Sequence, residues 1–299
     1  MKTWVTYISE MTLNNHVIPF QLGNNTVRGN IVRLQTVVSD IVNRHEYPAN
    51  IESLFADTLT ITASLGSRMK HDGVFTIQAK GNGEVNTLFS DITSDGFLRG
   101  YVGLTSSFAN KEINLNSLMG SGHVSFTLDQ GKYTKRYQGI VPLEEASISK
   151  TTEVYFNNSE QLETKFYNFN YFDIKKNNRK HLFSSGLIML QKMPVKNSFD
   201  EENNEEVWQN SLNFLSTLEK EEFLSINLTS EEILYRLFNE LEITIYEEII
   251  IRDQCRCSEE KIKFAIKSLS KKELNEIADK NGNVKVVCEF CKTERIFPS

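Results

Sequence analysis

No cysteine occurs in residues 1–254, and no histidine occurs between residues 182 and 299. No stretch approaches the roughly 20 consecutive apolar residues of a membrane-spanning helix. The start, Met1-Lys2-Thr3-Trp4-Val5-Thr6-Tyr7-Ile8-Ser9-Glu10, has neither an apolar signal core nor a small-residue cleavage site. These absences predict a cytoplasmic chain. In that reducing compartment, clustered thiols act as metal ligands or redox groups rather than permanent structural bridges. The histidine gap excludes a mixed Cys/His ligand set within the C-terminal third.

What is present is an ordinary globular composition, 39% hydrophobic and 24% charged, over 299 residues. That length suggests about two domains. The net charge of −6 hides an asymmetry. Residues 199–248 hold 14 acidic and 2 basic side chains, whereas residues 251–299 hold 11 basic and 8 acidic ones. An acidic middle therefore abuts a mildly basic end. A solvated helical face accounts for it simply, and a segment held by charge and packing that can be released accounts for it as well.

Residues 1–194 read as one α+β domain. Leu34, Val37, Val38, Ile41 and Val42 recur at helical spacing, and a second helix is expected from Ile51 to Met69. Strand patterns follow at 74–79, 85–92, 97–102, 123–128, 137–141, 162–172 and 186–190, with a helix over 147–157. A break at Pro194 opens an acidic helical linker, 195–250, whose residues 196–204 are polar and whose later part forms short helices. Thr229-Ser230-Glu231-Glu232 is a capping box ahead of the stripe Ile233, Leu234, Leu237, Phe238 and Leu241. That stripe has no partner on either flank and is expected to pack on the N-terminal domain. Residues 251–299 form a third part. Ser258 and Ser270 cap two helices there, and Asn281-Gly282 turns into the strand Val284–Val287.

All four cysteines lie in this last part, as Cys255-Arg256-Cys257 and Cys288-Glu289-Phe290-Cys291. Each doublet offers two sulfurs from one turn, which suits a tetrahedral thiolate site holding one zinc ion. The same doublets could instead close as two disulfides. A Cys255–Cys257 bridge would close a very small ring and be easily reduced. Four thiolates leave no open position on a metal, so no catalysis is expected there and the chain is read as not an enzyme. So few large apolar side chains in about 50 residues make a marginal core that needs a structural metal.

These residues resemble the heat-shock protein 33 family of redox-regulated bacterial chaperones over nearly the whole chain. The likeness rests on Cys255-Arg256-Cys257-Ser258, Cys288-Glu289-Phe290-Cys291 and Leu234-Tyr235-Arg236-Leu237-Phe238. In the N-terminal part it rests on Gly96-Phe97-Leu98-Arg99-Gly100-Tyr101, on Tyr137-Gln138-Gly139-Ile140-Val141-Pro142-Leu143 and on Tyr155-Phe156-Asn157-Asn158-Ser159-Glu160-Gln161. The resemblance implies a substrate-binding domain, a metastable helical linker and a four-cysteine zinc domain. It implies an ATP-independent holdase that is inactive while reduced and zinc-bound. Oxidation is then expected to form Cys255–Cys257 and Cys288–Cys291 disulfides, eject zinc, unfold the linker and favour a homodimer that binds unfolding clients. The sequence departs from the family pattern at Asp253-Gln254, at Glu144-Glu145-Ala146-Ser147 and in the tail Arg295-Ile296-Phe297.

Other features read more plainly. Gly81-Asn82-Gly83 and Gly120-Ser121-Gly122 lack the Lys-Ser/Thr ending of a phosphate loop and are expected to be turns. His45 and His123 are isolated, and Ser159-Glu160 has no triad partner nearby. The aromatics Phe166, Tyr167, Phe169, Tyr171 and Phe172 are expected in core and on sheet surface, with exposed members available to clients or a second subunit. Two competing classes are a structural-zinc nucleic-acid-binding protein, for which the tail is too weakly basic, and a thiol oxidoreductase using Cys288 and Cys291. The expectation is a protein that binds neither nucleic acid nor membrane.

Overall fold

The computed structural model describes residues 15–69, 72–105, 114–131, 135–174, 180–194 and 201–298. Residues 1–10, read above for a signal, and 196–200 of the expected linker lie outside these. The chain divides into two compact units, Met1–Asp253 and Gln254–Ser299.

The first unit is α+β. It begins with β1 (Asn15–Leu22), β2 (Val27–Leu34), α1 (Thr36–Asn43) and α2 (Ala49–Gly66). Then come β3 (Val74–Gly81), β4 (Val85–Thr93), β5 (Phe97–Leu104), α3 (Leu115–Met119), β6 (Gly122–Asp129) and β7 (Tyr137–Pro142). Helix α4 (Ile148–Tyr155) runs into a π turn, Phe156–Glu160, and β8 (Thr164–Ile174) and β9 (Lys180–Lys192) follow. The acidic segment supplies α5 (Glu201–Ser216), α6 (Lys220–Phe223), α7 (Ser230–Phe238) and three short strands, β10 (Ile243–Ile245), β11 (Ile249–Ile250) and β12 (Arg252–Asp253). One sheet has the order β10-β1-β2-β9-β8, with β11 also on β1, and the other has β12-β5-β4-β3-β6-β7.

Strands β1, β2 and β9 are apolar on both faces because both faces are covered. Val17, Val32, Leu34, Leu187 and Met189 enter a core shared with α1, α2 and the second sheet. Their neighbours Ile18, Phe20, Leu22, Ile31, Ile188 and Leu190 enter another, closed by Trp208, Phe223, Ile233, Leu234 and Phe238 of the acidic segment. The period-two alternation of a strand thus feeds two cores instead of one core and solvent. Helix α2 meets strands of both sheets. Its buried threonine hydroxyls are satisfied within the helix, Thr58 donating to the Leu54 carbonyl at 2.9 Å and Thr62 to that of Thr58 at 2.7 Å.

Sequence patterning had missed β1 and β2 and placed Leu34 in a helix, whereas Leu34 is the last residue of β2. Pro19 is the physical reason for the first miss, since a proline argues against a central strand. The structure accommodates it by interrupting the partner. Phe20 pairs with Ile245 and Val17 with Ile249, and between them the Tyr246 N–H reaches the Pro19 carbonyl at 2.9 Å. The expected run of short linker helices is also corrected: α5 is 16 residues long and already helical at 201–204. After α7 the segment turns to strand, laying β10 and β11 on one sheet edge and β12, in parallel, on the other. The Thr229/Glu232 capping box forms as read, and Ile233, Leu234 and Phe238 are fully buried. Removing a buried aromatic such as Phe238 costs about 3–5 kcal/mol, so this packing is substantial.

The second unit contains α8 (Glu259–Lys267), α9 (Lys271–Ile277) and a hairpin of β13 (Asn283–Val287) and β14 (Glu294–Pro298). Ser258 and Ser270 cap the helices by accepting from the Lys261 and Glu273 N–H groups. Asp279 accepts from the N–H groups of Asn281 and Asn283, which fixes the Asn281-Gly282 turn. Among its described residues only Val284 and Phe297 are buried hydrophobics.

Candidate metal centre

Cys255 and Cys257 lie in the irregular stretch that ends at the Ser258 cap of α8. Cys288 and Cys291 occupy the turn of the β13–β14 hairpin, where Val287 pairs with Glu294. That turn closes through the Lys292 N–H on the Cys288 carbonyl at 2.8 Å and the Cys288 N–H on the Thr293 carbonyl at 3.0 Å. Lys292 adopts φ 53°, a left-handed bend that tightens the knuckle.

The four sulfurs lie within 4.8 Å of one another. Cys255 Sγ is 3.7 Å from Cys288 Sγ, and Cys257 Sγ is 3.5 Å from Cys291 Sγ. A tetrahedral zinc with Zn–S bonds near 2.3 Å has sulfur–sulfur edges of about 3.8 Å. The donors therefore fit the ion in number, type and spacing, and soft thiolates favour zinc over hard oxygen-seeking cations. None of the four is in a disulfide, and all are half-buried. Both of those sulfur–sulfur contacts run between the doublets, as four of the six edges of one tetrahedron do.

Polar side chains stand beside two of the sulfurs. Arg295 places Nη1 3.5 Å from Cys257 Sγ, and the Thr293 hydroxyl lies 3.2 Å from Cys291 Sγ. Burial pushes the Cys255, Cys257 and Cys288 thiols up. Burial acts the same way on Cys291, but hydrogen bonding with Thr293 and the neighbouring sulfurs prevails, and its pKa falls to about 6. Such a site, closed by four ligands, supports structure rather than catalysis at the metal.

The remaining candidates fall elsewhere. His45 stacks on Tyr47 with ring centroids 5.0 Å apart, and His123 is exposed on β6. The two glycine turns pack on each other. Gly83 N–H donates to the Met119 carbonyl at 2.8 Å, and a Cβ on Gly81 would sit 2.1 Å from that same oxygen. Close backbone approach, not phosphate, is what those glycines serve. Glu160 accepts from the Tyr137 and Tyr155 hydroxyls, at 2.5 Å each, instead of joining a triad. Tyr171 is exposed on β8 while Phe166 is buried.

Sequence reading had not singled out Thr293 or Arg295 as neighbours of the sulfurs; only the hairpin register, pairing Val286 with Arg295, shows their place. It had also missed two ties on the acidic segment. Asp253 forms an ion pair with Arg44 at the end of α1. His16 on β1 sits 2.7 Å from the Ser230 hydroxyl and 3.1 Å from the Glu248 carboxylate.

Known proteins share this arrangement. The family described as "Hsp33 protein" matches residues 15–298. A protein of Caulobacter vibrioides named 33 kDa chaperonin is 29% identical over 287 residues, covering 93% of each chain. The 33 kDa chaperonin of Shewanella loihica is 31% identical over 280 residues, covering 92% of this chain and 90% of its own. The crystal structure of the heat shock protein 33 homologue from Thermotoga maritima superposes with a TM-score of 0.77 at 24% identity, covering 95% of both chains. A likeness that runs from the first strand described to the C-terminal hairpin, cysteine doublets included, makes this chain a member of the heat-shock protein 33 family of chaperones.

Proposed function

We propose that the protein is a redox-regulated, ATP-independent holdase that is inactive while its four cysteines hold one zinc ion. The observation that carries the reading is the coupling built into the sequence of elements. The sulfur cluster is the principal anchor of a unit with two buried hydrophobic side chains, and Cys255 follows directly on the segment that covers an apolar sheet face. Most of the folding free energy of such a unit is metal binding.

Oxidation by a peroxide removes two electrons from each pair of thiolates, forms one S–S bond per pair and reduces the peroxide to water. The ligands vanish, zinc leaves and the unit unfolds. We assign the bonds as Cys255–Cys257 and Cys288–Cys291. Bridges along the short cross contacts, Cys255–Cys288 and Cys257–Cys291, would instead staple the folded unit and hold it closed. Cys288 and Cys291 close the less strained ring and react first, and Cys255–Cys257 passes the event to the acidic segment. When β10, β11 and α5–α7 lift away, Ile18, Phe20, Leu22, Ile188 and Leu190 become the surface that holds unfolding clients. A homodimer is the active form, and the cytoplasm under oxidative stress is its setting. Among the described residues no helix is long and apolar enough to cross a membrane.

Light scattering of a heat-unfolding client tests the proposal. Peroxide-treated, warmed protein suppresses aggregation near equimolar ratio, and the reduced zinc form does not. Equal protection in both states, or none in either, rejects the switch.

A further inference from the structure

Far from the cysteines in sequence, the first unit contains a cavity of about 380 Å³, within the size range of small-molecule sites. Its wall is mostly apolar, with Phe75, Phe126 and Met189 prominent, yet two arginines, Arg28 and Arg68, line it as well. Their hydrogen bonds are to neutral groups. Arg28 Nε donates to Gln191 Oε1 at 2.6 Å, and Arg68 Nη2 to Asn30 Oδ1 at 3.2 Å. Among the described residues neither has a carboxylate partner. Burial lowers the pKa of both, and at Arg68 the nearby Arg28 adds to it, bringing Arg68 down to about 9. Both remain cationic at neutral pH, so the fold holds two like charges beside one largely apolar cavity with no carboxylate bonded to either. With Glu160, the carboxylate on the cavity wall, held by two tyrosine hydroxyls, that is a costly arrangement unless a ligand supplies an anion to the arginines.

The other polar groups of the lining limit what the anion can be attached to. Glu160 ends the π turn, a local insertion that often marks functional positions. Its carboxylate takes both tyrosine hydroxyls, which burial and that hydrogen bond keep protonated at Tyr155. A second negative group would meet Glu160 unfavourably, whereas an apolar or hydroxyl-bearing end would not. We infer that this cavity binds a small amphiphilic monocarboxylate, its carboxylate between Arg28 and Arg68 and its apolar body against Phe75, Phe126 and Met189. Bidentate guanidinium–carboxylate contacts supply the recognition, and burial of the chain supplies the rest. The assignment does not depend on the redox switch.

Calorimetric titration of the reduced, full-length zinc protein with octanoate tests it, with 1-octanol and octanedioate as companion probes. Saturable binding of octanoate with a Kd of about 1 mM or tighter is expected. Octanol and octanedioate are expected to bind at least about tenfold more weakly, and Arg68→Gln to weaken octanoate by a similar factor. Methyl resonances of Met69 and Met189 should shift on saturation of the wild-type protein. Should Arg68→Gln not fold, Arg28→Gln and the methyl shifts decide. Absence of octanoate binding, equal affinity for octanol, an unaffected arginine variant or unmoved methionine methyls each overturns the inference.

Discussion

In the proposed zinc centre, a single sulfur decides whether the second unit keeps its metal. Replacing Cys288 by Ser leaves three thiolates and a hydroxyl around the metal, and a hydroxyl does not ionise at neutral pH to take the fourth place. Structural zinc contributes about 10–16 kcal/mol in comparable small domains, far more than two buried side chains can replace. Cys288→Ser is therefore expected to surrender zinc to a colorimetric chelator at pH 7 and to bind an apolar dye without oxidant. Stoichiometric zinc with no added dye binding contradicts that. Asp253 acts one step away, tying the end of β12 to Arg44 of the same unit. Both side chains are partly shielded, at 25% and 19% exposure, so the pair is worth about 1 kcal/mol. Asp253→Asn should lower by roughly fivefold the dose at which oxidation activates the protein, read as peroxide concentration at half-maximal protection. An unchanged dose–response curve would remove Asp253 from the latch. Here the departure from the family pattern gains a physical meaning that the sequence alone had not supplied.

At the scale of elements, the acidic segment is held to β1 by a buried histidine. Desolvation lowers the His16 pKa below its usual 6.5, with Glu248 and Glu231 opposing and Arg33 adding to the effect. Its neutral ring donates from Nδ1 to Glu248 and accepts at Nε2 from the Ser230 hydroxyl, an arrangement that reaches α7 and the approach to β11 at once. A depressed histidine pKa means that the unfolded chain binds more protons, so stability falls as pH drops through about 6.5 toward the folded value. Asp57, whose buried carboxyl is raised to about 6, works in the opposite sense. Comparing slopes separates them: His16→Gln should show a smaller loss of denaturant midpoint between about pH 7 and pH 5.5 than the parent. Identical slopes would show that His16 does not sense acid.

The elements that the sequence revealed are those whose signals are local. The Thr229 and Ser270 capping boxes, the Asn281-Gly282 turn, the α7 stripe and the cysteine doublets all depend on neighbours within a few residues. β1 stayed hidden behind Pro19, and β10–β12 are two or three residues long with no pattern of their own. Their identity comes from partners more than 200 residues away on β1 and about 150 away on β5. Thr293 and Arg295 belong to the same class: their chemistry at the sulfurs exists only once the hairpin register is set.

For the whole molecule, charge, packing and metal act in series. The acidic segment closes the outer face of one sheet and an edge of each sheet, and the unit that follows it carries the four clustered sulfurs. In the proposed switch, a local two-electron step at a cysteine pair reaches a buried apolar surface through chain connectivity. The most direct test is hydrogen exchange of the reduced and oxidised protein, resolved by segment. Oxidation is predicted to strip protection from α5–α7, β10 and β11 and from the whole Gln254–Pro298 region, while β3–β6 keep theirs. Undiminished protection across residues 201–253 in the fully oxidised, zinc-free protein would contradict the account.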